Sequence, residues 1–186
     1  MNKLTIATVD IDGIKVLNSN SIIDDRGYFG RLFCQKELQQ ITNSKNIVQI
    51  NQSITNNSGV IRGMHYQKKP ALEGKFVTCL KGKIFDVAID IRKDSKSLFN
   101  YHAEILSEEN KKILYIPEGF AHGFQTIKSN CEVLYFHTEY YSQENESGIN
   151  SMDPSIGINW PNNVSFRSER DLTFPFLDSS FKGIEL

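Results

Sequence analysis

Apolar and polar residues alternate with a period of two along several short stretches of the chain. In residues 84–91, one face collects four large apolar side chains and the other collects two aspartates and an alanine. This period is typical of a β-strand. Similar strand-like runs lie at 47–50, 76–80, 112–116 and 132–137. Glycines, which favour turns, separate these runs: Gly59, Gly63, Gly74, Gly82, Gly119 and Gly123.

Helical patterns are few. Residues 34–42 predict a short helix and residues 171–178 a turn or short helix, whereas 18–27 and 143–163 are weakly patterned and predict loops or arms. Many short strands with glycine-rich turns predict a sandwich or small barrel. A chain of 186 residues suits one domain over 1–186.

Composition excludes several classes of partner. The net charge of −1 provides no global field to attract nucleic acid or an anionic membrane, so any phosphate must be bound by a local cluster. No stretch reaches the roughly 18 apolar residues of a membrane helix, and Asp10 and Asp12 interrupt residues 1–15, where a signal peptide would lie. Three scattered cysteines without a CxxC pair indicate a reducing compartment. We therefore expect a cytoplasmic protein that binds neither nucleic acid nor a membrane.

Two of the four histidines lie in motifs that could form a site. His65 ends the run RGMH, and His122 lies in PEGFAHG, whose Pro-x-Gly-x-x-His spacing resembles the second motif of the cupin barrels. Proline fixes the end of one strand and glycine opens a tight reversal, so the histidine enters the next strand facing the barrel interior. His122 is either an interior hydrogen-bonded residue or part of an active site, and we interpret His102 and His137 as structural.

The histidine pattern does not predict a metal site. The His-x-His pair of a metal-binding cupin is missing, because Tyr66 and Gln67 follow His65. Two isolated histidines are a poor ligand set for zinc or non-haem iron, which need three or more donors. An interior with histidine, carboxylates, tyrosine and lysine suits general acid–base chemistry at carbon, and we predict neither a metal nor a cofactor.

The chain as a whole resembles the dTDP-4-dehydrorhamnose 3,5-epimerase family, a branch of the cupins. Nine motifs carry the resemblance in order: DRGYF (25–29), QINQS (49–53), GVIRGMHYQ (59–67), GK (74–75), GKIFDVAIDIR (82–92), PEGFAHGF (117–124), VLY (133–135), DP with GINWP (153–161), and SERD (168–171). The resemblance implies a mostly β, cupin-type jelly-roll barrel with a few short helices. It also implies epimerisation at C3, C5 or both of a nucleotide-linked 4-keto-6-deoxysugar.

The resemblance assigns catalytic roles by position. His65 looks like the base, Asp171 the carboxylate that orients it, and Tyr135 the acid on the opposite face of the sugar. Lys75 matches the cation beside the sugar ketone. In this chemistry the 4-keto group acidifies the neighbouring hydrogens, a base removes one, and an acid returns a proton from the other side.

The remaining matched residues are implied to bind substrate. Arg62, Gln49 and Asn51 match positions that hold the diphosphate, and Arg26 and Phe29 match an arm that contacts the nucleotide. We also count His122 among the candidate substrate contacts. In the family this arm reaches into the site of a neighbouring subunit, so the resemblance implies a homodimer.

Three positions depart from the family pattern. Arg31 stands where a glutamate is usual, so it could face an acceptor-rich base and favour a CDP- or GDP-linked hexose or heptose, or turn to solvent and leave thymine in place. Glu73 replaces a common glutamine, and Arg170 replaces a common lysine. Two other classes stay open at this point: a metal-dependent cupin and a non-catalytic sugar-binding barrel.

Overall fold

The computed structural model of the chain describes residues 3–186. Residues 1 and 2, the start of the stretch without a predicted signal peptide, lie outside the described residues. Within the described part, the strands are β1 Leu4–Thr8, β2 Lys15–Ser19, β3 Ile22–Asp24, β4 Gly27–Phe29, β5 Gln49–Thr55, β6 Ile61–Gln67, β7 Lys75–Lys81, β8 Lys83–Asp90, β9 Tyr101–Ser107, β10 Lys112–Ile116, β11 Phe120–Thr126, β12 Cys131–His137 and β13 Glu146–Gly148. The helices are α1 Gln35–Leu38 and α2 Glu169–Thr173.

The strands form two antiparallel sheets and a separate hairpin. The first sheet has the order β1-β2-β10-β7-β12-β5, the second the order β13-β6-β11-β8-β9, and β3 pairs with β4. Strands distant in sequence are neighbours in both sheets, as in a jelly-roll barrel. The mostly β prediction is confirmed.

A buried core joins the inner faces of the two sheets. Val77 and Leu114 of the first sheet pack in one cluster with Ile84, Ala88 and Phe124 of the second, and all five are at most 1% exposed. Burying an aliphatic or aromatic side chain of this kind contributes about 1.5–3 kcal/mol. The core therefore holds the two sheets together and fixes how their edges face each other.

The outer faces are covered as well. On β8, the apolar face that the sequence pattern predicts packs against residues 149–184, while Asp86 and Asp90 on the other face are fully buried. The alternation of residues 84–91 is thus confirmed. Alternation alone did not indicate that its polar face is interior, because both sides of the strand are covered.

The predicted elements agree with the structure except at their ends and in the loops. The runs at 76–80, 112–116 and 132–137 are strands, and the run at 47–50 begins later and extends to Thr55. The helix predicted at 34–42 shortens to α1, and the turn or helix predicted at 171–178 is replaced by α2, which begins and ends earlier. The loop or arm predicted at 18–27 contains most of the exposed β3–β4 hairpin, in which Asp24 and Gly27 flank a two-residue turn. The predicted loop at 143–163 contains β13, which pairs with β6. No helix in residues 3–186 is both long and apolar enough to cross a membrane.

Candidate active site

A cleft of about 1210 Å³ opens beside the core, with walls from both sheets and from the segment around α2. Its volume exceeds that of a typical drug-sized pocket, roughly 300–1,000 Å³, and suits an extended ligand such as a nucleotide sugar. Eight of the eleven predicted site residues line it: Gln49, Asn51, Arg62, His65, Lys75, His122, Tyr135 and Asp171.

A histidine–aspartate pair in the cleft joins β6 to α2. The Nε2 of His65 lies 2.8 Å from Oδ1 of Asp171, and the backbone N–H of Gly63 donates to the other carboxylate oxygen at 3.1 Å. Ser168 caps α2, because its hydroxyl accepts from the backbone N–H of Asp171. The cap and the β6 backbone together hold the carboxylate against the imidazole.

The close packing of β6 and β11 requires glycine at position 63. Gly63 has a φ of +124°, and a Cβ at this position would lie 2.5 Å from the Cα of Gly123. A larger residue would separate the two strands, with a strained backbone besides. The strands also shift register between His122 and Phe124, an irregularity of the kind common beside active sites.

The environment of Asp171 keeps it ionised. Burial raises the pKa of this carboxyl, but the hydrogen bonds from His65, Gly63 and Ser168 outweigh burial and lower the pKa below 3.8. A carboxylate can only accept, so the imidazole N–H facing it must be on Nε2. Nδ1 of His65 is then the nitrogen with a free lone pair, as a general base requires.

Arg170 lies beside the His65–Asp171 pair. Its guanidinium donates to both carboxylate oxygens of Glu146 at 3.0 Å, and its Nη2 lies 3.1 Å from Nε2 of His65. Because Nε2 carries the proton that faces Asp171, it does not accept from Arg170, and the contact places a positive charge beside the imidazole. Tyr141 donates its hydroxyl to the same glutamate. All five residues line the cleft. Arg170, at the position where the family commonly has lysine, thus places its guanidinium in contact with His65.

Tyr135 projects into the cleft from β12, on the opposite sheet from His65. Its hydroxyl lies 2.8 Å from the hydroxyl of Ser53 on β5. Burial, the largest influence, raises the pKa of Tyr135 well above 10. The phenol is therefore protonated at neutral pH and can act as a proton donor.

Lys75 belongs to a buried chain of polar contacts. Its Nζ lies 2.5 Å from Oε1 of Glu73, whose other oxygen lies 2.7 Å from Nδ1 of His137. The Nε2 of His137 lies 3.4 Å from Nδ2 of Asn51. Burial raises the pKa of Glu73, but Lys75 and His137 together lower it to about 2. His137 is buried and hydrogen-bonded, as expected of a structural residue, and it also lines the cleft.

His122 satisfies both of the alternatives that the sequence left open. It is 5% exposed and its Nε2 lies 2.8 Å from Oδ1 of Asp86, as expected of an interior residue. It also lines the cleft, directly opposite His65 in the β6–β11 register. Opposed residues on paired strands share a face of the sheet, which brings the two His–Asp pairs side by side.

The candidate diphosphate residues lie along the cleft wall. Arg62 donates through Nε to the hydroxyl of Thr55, and its Nη2 lies 3.4 Å from the carbonyl of Ile54. The side-chain oxygen of Gln49 accepts from the backbone of Tyr141. These contacts leave further N–H donors of the guanidinium and the amide for an anion.

The three predicted residues of the arm do not reach the cleft of their own chain. Arg26 pairs with Asp24 in the exposed hairpin, and Phe29 is 64% exposed. Arg31 forms an ion pair with Glu37 of α1, so its guanidinium neither turns freely to solvent nor stands unpaired. Neither sequence alternative for Arg31 anticipated this partner.

Several residues that line the cleft, or that contact a residue lining it, were not identified from the sequence. Asp86 lay on the polar face of a predicted strand, a signal that did not indicate burial against His122. Ser53 belonged to a matched motif, but only the β5–β12 pairing shows that it contacts Tyr135. Glu146 and Tyr141 lay in or beside a predicted loop. Within residues 3–186, no three His, Cys, Asp or Glu residues group so that they could hold a metal ion.

Comparison with known proteins agrees with the motifs. A model of the family described as dTDP-4-dehydrorhamnose 3,5-epimerase matches residues 8–179. The enzyme of that name from Sinorhizobium fredii is 36% identical over 178 residues, covering 95% of this chain and 91% of the relative. The one from Shigella flexneri is 37% identical over 180 residues, covering 96% and 99%.

Solved structures show the same fold. The Legionella pneumophila dTDP-6-deoxy-D-glucose-3,5-epimerase, in complex with dTDP-4-keto-L-rhamnose, has a TM-score of 0.91 and 34% identity and covers 98% of this chain and 99% of that one. The Bacillus anthracis dTDP-4-dehydrorhamnose 3,5-epimerase, with TDP and pyrophosphate bound, has a TM-score of 0.90 and 34% identity, covering 94% and 99%. The cupin-type fold inferred from the motifs is confirmed, and the chain belongs to the dTDP-4-dehydrorhamnose 3,5-epimerase family.

Proposed function

We propose that the protein epimerises C3, C5 or both of a dTDP-linked 4-keto-6-deoxysugar by removing and returning protons, in deoxysugar and polysaccharide biosynthesis. The observation that carries the proposal is the His65–Asp171 contact of 2.8 Å, in a cleft whose opposite wall presents Tyr135. An epimerase of this kind needs a base on one face of the sugar and a proton donor on the other. The cleft offers one from each sheet.

The proton is removed by Nδ1 of His65, because Asp171 holds the N–H on Nε2. The ionised Asp171 stabilises the imidazolium that forms, as in other His–Asp pairs. Loss of the proton beside the ketone gives an enolate, with the negative charge on the oxygen bonded to C4. The ammonium of Lys75 has further N–H donors for this oxygen besides the one that Glu73 accepts.

The proton is returned from the opposite side by Tyr135. Its raised pKa keeps the phenol protonated, and Ser53 orients the hydroxyl. Positioned acid–base groups contribute on the order of 10²- to 10⁴-fold each to the rate. All of these steps use side chains, so the proposal includes no cofactor.

The diphosphate is bound by Arg62, Gln49 and Asn51. An arginine fork with amide donors provides a local anion site in a protein whose net charge is −1. His122 supports the sugar from beside His65. The nucleotide itself contacts Arg26 and Phe29 from the arm of the neighbouring subunit in a homodimer. Arg26 and Phe29 are both exposed and lie outside the cleft of their own chain, which supports this arrangement.

The ion pair between Arg31 and Glu37 favours dTDP over CDP or GDP. A free guanidinium would favour an acceptor-rich base, but here the carboxylate of Glu37 already accepts from it. TDP and a dTDP-sugar are the ligands named for the two related structures above. The second candidate, the same chemistry on a CDP- or GDP-linked hexose or heptose, rests on Arg31 alone. A cytoplasmic location accords with free Cys34, Cys79 and Cys131.

Proton exchange tests the proposal directly. The enzyme is incubated in D₂O with a panel of dTDP-, CDP- and GDP-linked 4-keto-sugars, and NMR follows deuterium at C3 and C5. Deuterium should enter one or both carbons of the dTDP-4-keto-6-deoxysugar, with inversion. The absence of exchange with every 4-keto-sugar would refute the epimerase function.

A further inference from the structure

The chain Lys75–Glu73–His137–Asn51 has a defined hydrogen-bond direction, and Glu73 sets it. The ammonium of Lys75 can only donate, so Oε1 of Glu73 accepts from it across 2.5 Å. At the other end, the amide Nδ2 of Asn51 can also only donate, so Nε2 of His137 accepts. Nδ1 of His137 must then carry the proton and donate to Oε2 of Glu73 at 2.7 Å.

Glu73 is therefore a carboxylate between two donors. Its side chain is 11% exposed, and those of Lys75 and His137 are 8% and 11% exposed, so water does not readily replace these contacts. A buried donor or acceptor left without a partner is costly. A group with two acceptor oxygens satisfies both neighbours while the proton of His137 is on Nδ1.

The position of Glu73 matters because the series of hydrogen bonds through it begins and ends at residues of the proposed site. Lys75 and Asn51 both line the cleft, and the ring of His137 stacks on that of Tyr135 with centroids 6.2 Å apart. The strand register explains the proximity, since His137 lies opposite Lys75 on β7 and opposite Gln49 on β5.

We infer that Glu73 is a positioning residue: it fixes His137 as the Nδ1–H tautomer and, through it, orients the amide of Asn51 so that an N–H faces the ligand diphosphate. The inference rests on the proposed function only for the identity of the ligand that Asn51 contacts. Asn51 donates one of its two amide hydrogens to His137, which leaves the second for a phosphate oxygen.

A glutamine at position 73 reverses the direction of the hydrogen bonds between residue 73, His137 and Asn51. It offers one acceptor and one donor group, and the acceptor must face Lys75, because two donors cannot pair. Its NH₂ then faces Nδ1 of His137, which must become the acceptor, and the proton moves to Nε2. An Nε2–H can pair only with the carbonyl oxygen of Asn51, so that amide turns over and its NH₂ leaves the ligand side.

The first test reads the tautomer of His137 directly in the full-length protein. In ¹⁵N-labelled protein near pH 7, the His137 resonances should show a protonated Nδ1 and an unprotonated Nε2, assigned by comparison with His137→Phe. In Glu73→Gln the two should exchange roles. A wild-type His137 protonated on Nε2, or an unchanged tautomer in Glu73→Gln, would overturn the inference.

The second test measures TDP binding by calorimetry. Loss of one amide contact to a charged group should raise the dissociation constant about tenfold in Glu73→Gln. In a His137→Phe background the same substitution should not weaken TDP binding further, because Glu73 no longer has a histidine through which to orient Asn51. If the effects of Glu73→Gln and His137→Phe on the dissociation constant were additive, the inference would be overturned. Glu109→Gln is the control: it removes an exposed glutamate that pairs with Lys128, and this variant should bind TDP like the wild type.

Neither test depends on turnover. If the wild-type protein exchanged no deuterium into any 4-keto-sugar, the proposed function would fail while the tautomer and its dependence on Glu73 could still be read. If the wild type exchanged deuterium but the tautomer did not respond to Glu73→Gln, the inference would fail and the proposed function would stand.

Discussion

The Nε2 of His65 and Oδ1 of Asp171 lie 2.8 Å apart although 106 positions separate the two residues in the chain. The ionised carboxylate favours the proton on Nε2 of His65, which leaves Nδ1 with a free lone pair for the role of base that we propose. Two further contacts join residues far apart in the chain: Tyr135 with Ser53, and His122 with Asp86.

Replacing His65 by asparagine should abolish deuterium uptake at both carbons, because no other group in the proposal removes the proton. NMR in D₂O measures the uptake, and TDP calorimetry should show binding largely unchanged. His102→Asn is the matched control, since His102 does not line the cleft, and it should exchange like the wild type. Exchange at the wild-type rate in His65→Asn would remove His65 from the role of base.

Asp171→Asn should impair exchange less than His65→Asn does. The imidazole remains, but an amide no longer stabilises the imidazolium or enforces the tautomer. The carboxylate also accepts from Gly63, so thermal unfolding should be followed to separate a catalytic loss from a stability loss. A variant as inactive as His65→Asn and equally stable would mean that Asp171 does more than orient the base.

Tyr135→Phe should separate proton removal from inversion. The base still removes the proton, so deuterium enters, but the donor on the opposite face is gone and inversion should slow by about 10²-fold or more. Both are followed in the same NMR experiment. Tyr115→Phe is a matched control, because Tyr115 is also a buried tyrosine but lies outside this cleft. Inversion at the wild-type rate in Tyr135→Phe would exclude the phenol as the acid.

Mixing two inactive variants tests whether the arm serves a neighbour. An Arg26→Ala, Phe29→Ala double variant has an intact cleft, and His65→Asn has an intact arm. If a dimer shares its sites, half of the randomly mixed dimers carry one intact site of two, and the mixture should recover about a quarter of wild-type activity. A mixture of His65→Asn and Tyr135→Phe should recover none, because both changes lie in the cleft. No recovery with the arm variant would place Arg26 and Phe29 outside a shared site.

Glu37→Gln tests the role of the ion pair in nucleotide preference. With Glu37 in place, TDP should bind more tightly than CDP or GDP. Without it, the guanidinium of Arg31 loses the carboxylate that accepts from it and is free to face the base, so the preference for TDP over CDP and GDP should narrow. Calorimetry with the three diphosphates measures the effect, and Arg31→Glu should keep thymine preferred. If CDP or GDP already binds the wild type best, the alternative substrate class is correct.

Glu73 should stabilise the fold in a defined pH window. Its pKa is about 2 in the folded protein against 4.5 for the ordinary group, so its contribution is complete above about pH 4.5 and is lost as the pH falls toward 2. Wild type should exceed Glu73→Gln by up to about 3 kcal/mol in free energy of unfolding at pH 6. This difference should shrink between pH 4.5 and 2. Urea denaturation at several pH values measures it.

The corresponding control is Glu109→Gln. Glu109 pairs with Lys128 on the surface, where water screens the interaction, so this substitution should change stability little at any of these pH values. A difference between wild type and Glu73→Gln that stays constant from pH 6 to pH 2 would show that the carboxylate charge of Glu73 is not what stabilises the fold.

The sequence by itself determined that the chain is mostly β, which family it belongs to, and eight of the residues that line the cleft. Strand periodicity is local, and motifs such as GVIRGMHYQ and SERD keep their order along the chain, so both can be read without a fold. The hairpin at 22–29 was missed because its strands are three residues long, too short for a periodic signal.

Only the tertiary structure decided which side chains touch. His137 faces Glu73, and Arg31 faces Glu37, because strand register and the packing of α1 bring those side chains together. Burial of Asp86 was equally invisible, since an aspartate on the alternate face of a strand predicts solvent unless a second layer covers it. Partners, tautomers and pKa values depend on distances between segments far apart in the chain, and these distances are set by how the two sheets pair and pack.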